Sequence, residues 1–301
     1  MASAALRALS VLAFAAAALT SAAAGPVMDL PRLQEGHLSA ARAAETPAAG
    51  ETDFFARHPQ CQQRIRDQGH CSSCWAFAAA GTLGDRACAR TGQPLELSPQ
   101  DLMDCELLNL GCTCGTLPDI AWDYLHSTGV AEDSCVPYES GYEGHRLRCT
   151  KGCSAAEQVG GLVRRAGAPR ESVPKLLHKA AGVTRLSTLA EMEAAVREAP
   201  VDVTFNVYGD FQEHWEQGTN ATYTHTSGGY EGLHSVKVVG YGTGADGVPF
   251  WRVQNSWGLS GGYSIRENLP WTKRESRGFV NIRRGTNECG IEALAYAGWP
   301  A

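Results

Sequence analysis

Eleven cysteines in 301 residues, lying behind an N-terminal stretch built for export, constrain this chain more than any other feature. Arg7 precedes an apolar run from Ala8 to Thr20, and the small residues Ala22, Ala23 and Ala24 follow, which is the layout of a secretory signal cut after Ala24. The alternative, an uncleaved anchor, fits less well because the run is diluted with alanine and shorter than the roughly 20 residues that span a bilayer. Export places the cysteines in an oxidising compartment, where most of them pair. An odd number leaves at least one thiol reduced, and its identity becomes the central question.

The length suits one large domain or two modest ones. A net charge of -6 without any Lys/Arg block argues against nucleic acid or an anionic membrane as partner. Residues 25 to 52 are rich in alanine and lack sustained periodicity, so they read as a short leader or linker, and globular composition begins at Asp53. The half from about 53 to 155 reads as helical. "SCWAFAAAGTLGDRACAR" has a buried-helix pattern, "LSPQDLMDC" opens on Ser98, Pro99 and Asp101, and "PDIAWDYLHSTG" is a short helix stopped by Gly129. From about 156 to 301 the period changes. "VDVTFNVYGDF", "HSVKVVGYG", "PFWRVQNS" and "GFVNIRR" predict antiparallel strands, with one amphipathic helix from Thr188 to Arg197 opened by a Thr188–Glu191 capping box. The expected fold is α+β, a helical lobe followed by a β lobe with a ligand cleft between them.

The stretch "QGHCSSCWAFAAAG", residues 68 to 81, supports three readings. Cys71 and Cys74 with Cys112 and Cys114 form a zinc site in the first, although the single residue between Cys112 and Cys114 is tight for two ligands of one tetrahedral ion. A redox dithiol is the second, against which stands the crowd of structural-looking cysteines nearby. In the third, Cys71 is bridged while Cys74 stays reduced at the start of a helix, where backbone N–H groups and the helix dipole favour a nucleophilic thiolate. Such a nucleophile needs a base, a group to orient the base and donors for an oxyanion. His234 in "EGLHSVKVVGYG", Asn255 in "WRVQNSWG" and the amide of Gln68 are the candidates.

These residues, with "RDQGHCSSCWAF", "GDRAC", "GLHSVKVVGYG", "NSWG" and "NECGIE", resemble the papain-like cysteine proteases, and within them the cathepsin B-like branch, from about Asp53 to Gly298. The resemblance implies a papain-like two-lobe fold with an antiparallel β-barrel as its second lobe. It implies Cys74 as nucleophile, His234 as imidazolium partner and general acid, and Asn255 as the residue orienting the ring. Gln68 and the Cys74 N–H would form the oxyanion hole, and Trp257 would cover the His234–Asn255 hydrogen bond. The implied reaction is peptide hydrolysis through a thioester acyl-enzyme, with protein or peptide substrates, protein inhibitors as further partners, and no cofactor or metal. The implied bridges are Cys61–Cys88, Cys71–Cys112, Cys105–Cys149 and Cys135–Cys153, leaving Cys74, Cys114 and Cys289.

The chain departs from the family pattern in places. The segment matching the occluding loop, "CVPYESGYEGHRLRC", is short and holds a single His145, which predicts an open cleft and endopeptidase action. Leu294 stands where a glutamate lets cathepsin B accept arginine at the second subsite, so an apolar residue is expected there. Ser72, Cys114 and Leu233 replace glycines that line the family's subsites, and Gly115 alone remains of a glycine pair that hydrogen-bonds substrate backbone. After Gly258 about a dozen extra residues, "LSGGYSIRENLP", intervene. Asn220-Ala221-Thr222 is a glycosylation sequon. A secretory destination, lysosome-like or extracellular, and a monomer are expected. The rival reading is a catalytically impaired binding protein on the same fold.

Overall fold

A computed structural model describes residues 50–153, 174–259 and 278–301. The segments expected to be signal and leader up to residue 49, the expected boundary between the lobes and the extra residues after Leu259 lie outside the described residues.

Chain order within the described residues begins with β1 (Thr52–Asp53) and α1 (Phe54–Arg57), capped by the Asp53 carboxylate. Thr52 pairs with Tyr241 and Asp53 with Gly240, so the sheet takes in one residue of the stretch read as leader. The helical lobe then contributes α2 (Cys74–Thr91), α3 (Pro99–Cys105), α4 (Gly111–Cys114), α5 (Pro118–Ser127) and α6 (Ser140–Glu143). Ser98 caps α3 as expected, its hydroxyl accepting from the Asp101 N–H at 2.9 Å. Trp75, Leu83, Leu102, Met103, Trp122 and Leu125 close this lobe's core.

The second lobe holds β2 (Ala180–Leu186), α7 (Leu189–Glu198), β3 (Val201–Tyr208), α8 (Gly209–Gln217), β4 (Thr222–Tyr223), β5 (Tyr230–Thr243), β6 (Pro249–Gln254), β7 (Phe279–Arg283) and β8 (Leu294–Pro300). Among the described residues these strands run as one sheet in the order β2-β8-β3-β5-β6-β7-β4, with β1 added to β5. The ladders are antiparallel except β4 on β7, which is parallel. The Thr188–Glu191 capping box opens α7, with Thr188 Oγ1 accepting from the Glu191 N–H and Glu191 Oε2 from the Thr188 N–H.

One expected strand needs correction. "VDVTFNVYGDF" is strand only to Tyr208, and Gly209 turns the chain into α8. Phe211 and Trp215, four apart, both enter the core from that helix, and Asp210 pins the adjoining loop by accepting from the Thr226 and Ser227 N–H groups. Tertiary burial of two aromatics thus overrides a local β pattern. Sequence reading also missed β2 and β8, whose alanine and glycine content hides them.

β3 positions the site. Its odd residues, Val201, Val203, Phe205 and Val207, fill the second lobe's core. The even residues are buried too: Asp202 accepts from Trp122 Nε1 at 2.9 Å, and Thr204 shares a hydrogen bond with Ser235 at 2.7 Å. Asp202 thus reaches Trp122 of the helical lobe, while Thr204 finds its partner on the neighbouring strand β5.

Candidate active site

All four expected bridges are present, Cys61–Cys88, Cys71–Cys112, Cys105–Cys149 and Cys135–Cys153. Cys74, Cys114 and Cys289 lie outside them, and all three are buried. With Cys71 and Cys112 bonded to each other, the zinc and dithiol readings of the opening stretch lose their ligands.

Cys74 is the first residue of α2, and Ser73 is its N-cap without a side-chain capping bond. Ser73 uses its hydroxyl elsewhere. Tyr138 donates its phenolic proton to the Gln68 carbonyl at 2.8 Å, so the 2.7 Å contact between Ser73 Oγ and Tyr138 Oη is a donation from serine. The helix's first amides are thus left for sulfur, and the N–H groups of Cys74 and Trp75 are joined there by that of Ser235 from β5. Tyr138 is a site residue that sequence reasoning passed over, because its segment was read only as the shortened loop.

His234 lies in β5 opposite Phe205 of β3, and Asn255 directly follows β6, the next strand. Their side chains meet at 2.7 Å through His234 Nε2 and Asn255 Oδ1. The Ser256 N–H also donates to Asn255 Oδ1 at 2.7 Å, which only an oxygen can accept, so the amide orientation is fixed. Nε2 therefore carries the proton of the neutral ring, and Nδ1, buried and without a hydrogen-bond partner, is the basic nitrogen. Trp257 stacks on the imidazole at 4.6 Å and 29°, with Phe205 edge-on at 5.9 Å. Gln68 is held from both sides, Nε2 donating to the Cys71 carbonyl and Oε1 accepting from Ser256 Oγ at 2.7 Å.

Burial disfavours the charged forms of both catalytic candidates. Cys74 and His234 are both fully buried. Desolvation pushes the Cys74 thiol up to about 12 against the pull of the N–H groups of Ser235, Trp75 and Cys74 itself, and the Asp202 carboxyl adds to the rise. Desolvation also lowers His234 to about 4, while Asn255 opposes the fall. The helix-start amides expected to favour a thiolate are in place, and burial works against them by disfavouring the charged form of both groups.

The remaining expected residues surround this centre. Ser72 is buried beside Cys74, its N–H donating to the Cys112 carbonyl at 3.0 Å. Gly115 holds a positive φ of 68°; its N–H donates to the Gly111 carbonyl and its carbonyl accepts from Leu110. Cys114 is buried in α4. Leu233 shares a core with Cys74, and half-buried Leu294 packs against it from the start of β8. Asn220 is exposed between α8 and β4, its carbonyl accepting from Asn281 Nδ2. Among the described residues no cluster of His, Cys, Asp or Glu could hold a metal ion.

A reduced cysteine at a helix start, a histidine bound to an asparagine under a tryptophan and two lobes meeting between them define a cysteine peptidase, and residues 51–299 match the profile described as papain family cysteine protease. The chain belongs to that family. It is 35% identical over 256 residues to cathepsin B-like CP3 of Giardia intestinalis, covering 84% of this chain and 75% of that protein. Cathepsin B-like CP2 of the same organism is 36% identical over 249 residues, covering 82% of this chain and 73% of that protein. Among solved structures, procathepsin B of Trypanosoma congolense superposes with a TM-score of 0.68 at 24% identity, covering 92% of this chain and 87% of that one. A ragweed pollen cysteine protease in its proform superposes at 0.63 with 26% identity, covering 86% and 67% respectively.

Proposed function

We propose that the chain is a secretory cysteine endopeptidase in which Cys74 attacks the substrate carbonyl and His234 Nδ1 takes the thiol proton. The His234 ring, held by Asn255 through Nε2 with its buried Nδ1 left without a hydrogen-bond partner, carries this reading. The new S–C bond closes a tetrahedral intermediate whose oxyanion is held by the Cys74 N–H and the Gln68 amide. His234 then returns the proton to the departing amine, leaving a thioester, and water activated by the same ring releases the acid. Trp257 excludes water from the His234–Asn255 bond.

Endopeptidase action follows from the short segment between Cys135 and Cys149, whose single histidine, His145, turns Nδ1 to the neighbouring Glu143 carbonyl. An apolar second subsite follows from Leu294, which packs against the core cluster that holds Leu233. Four disulfides and the N-terminal signal favour the secretory route, with protein substrates and protein inhibitors as partners. Full burial of Cys74 and its raised thiol favour one other reading, a binding protein that retains the fold with little turnover. Stoichiometric labelling of Cys74 by an epoxysuccinyl inhibitor, together with cleavage of internal bonds in gelatin, tests the peptidase. Absence of labelling at Cys74 in folded protein overturns it.

A further inference from the structure

The arm that follows α6 carries three basic residues in four, His145, Arg146 and Arg148, within a chain whose net charge is -6. Two glycines set its path. Gly144 turns the chain at φ 68°. Gly111 lets the arm pack close, since a Cβ there would meet Arg146 Cβ at 3.2 Å. Between the arm and the α4 turn lies a basin of about 380 Å³, lined by Leu110, Gly111, Cys112 and Thr113 on one side and Gly144, His145 and Arg146 on the other. No Asp or Glu is among its lining residues.

The guanidinium is weakly committed. Of its five N–H groups, one donates to the Asp104 carbonyl at 3.0 Å, the only hydrogen bond it makes among the described residues. The Asp104 carboxylate beside it is already occupied by Gln100 Nε2 and the Leu147 N–H. The basin therefore presents a cation that is coupled to the Asp104 carboxylate on one side and has several donors to spare.

The α4 turn touches both sides, since its Cys112 and Thr113 line the basin and meet Ser72, two residues before Cys74. Its inner side holds Ser72, whose N–H meets the Cys112 carbonyl and whose Oγ approaches the Thr113 carbonyl at 3.5 Å. An extended substrate turns successive side chains to opposite sides. With P2 against Leu294 on the β lobe, P1 and P3 face the helical lobe. P1 meets Ser72, and P3, about 7 Å further along, crosses the turn toward the basin.

Resting on the peptidase reading above, we infer that Arg146 and the basin it lines form a subsite for a carboxylate side chain at P3 of the substrate, so that the enzyme selects Asp or Glu there. The bidentate geometry of guanidinium and carboxylate suits a half-buried arginine on a rigid turn.

Acyl-Xaa-Leu-Arg-aminomethylcoumarin substrates with Glu, Ala or Lys as Xaa test this on the purified full chain, with Cys74 titrated by an epoxysuccinyl inhibitor. The expected kcat/KM for Glu exceeds that for Ala by about threefold to tenfold, and Lys falls below Ala. Arg146→Ala abolishes the Glu-over-Ala preference, and Arg146→Glu turns the preference toward Lys. Each comparison is a ratio on one preparation, so partial misfolding cancels. Equal turnover of all three substrates by the wild-type enzyme, or ratios unmoved by both substitutions, overturns the P3 assignment and leaves the peptidase standing. No turnover and no labelling of Cys74 overturns both.

Discussion

Lys237 Nζ lies 2.6 Å from Asp85 Oδ2, tying the strand that carries His234 to the helix that carries Cys74. Both side chains are largely removed from water, and burial raises the Asp85 carboxyl while Lys237 pulls it back. A buried pair of this kind is costly to break from one side, because the survivor keeps its desolvation penalty without its partner.

Lys237→Met is accordingly expected to destabilise the protein by about 3 kcal/mol. Asp85→Leu combined with Lys237→Met recovers most of that loss. Urea unfolding of the two singles and the double closes the cycle, and additive losses would show that the pair is not coupled.

Tyr138→Phe removes one hydroxyl that serves both flanks of Cys74, the Ser73 hydroxyl and the Gln68 carbonyl. The expected stability cost is about 1 kcal/mol. The expected fall in kcat is about tenfold, with KM little changed, because the donors around the sulfur lose their alignment. A change confined to KM would count against this positioning role.

His234 also governs acid stability. Its folded value of about 4 lies below its ordinary 6.5, so between these two limits the unfolded chain binds a proton that the folded one refuses. The stability this neutral ring contributes is complete above 6.5 and is lost as pH falls toward 4, by about 3 kcal/mol at the lower end. Melting temperatures from pH 7 to 4 are expected to fall less steeply in His234→Gln than in the wild type. Parallel profiles would contradict the assignment.

Leu294→Glu is expected to admit arginine at the second subsite, raising the Arg-Arg to Phe-Arg turnover ratio on the order of tenfold by giving the guanidinium a buried partner. Fluorogenic dipeptide substrates measure the ratio directly. An unchanged ratio would remove Leu294 from the subsite.

The Cys74, His234 and Asn255 positions were legible because each sits in a short motif whose neighbours fix the local structure: a helix start, a strand and a strand end. α7 was legible for the same reason, its capping box being a local device. What stayed hidden depends on distant contacts. The burial of both faces of β3 follows from Trp122 and Ser235, far away in sequence. Tyr138 gains its importance only when folding brings it onto Ser73 and Gln68. The pull of burial against charge on Cys74 and His234 likewise arises from how completely the surrounding chain removes water, which no motif encodes.

Ser73 leaves its own helix uncapped in order to bind Tyr138, and an uncapped serine is an obvious target for thermostabilisation. A substitution there that reached back to satisfy the first-turn amides would withdraw them from the sulfur. Selection for heat resistance and selection for turnover should therefore pull this position in opposite directions, and a library scored on melting temperature alone would enrich the slower enzymes.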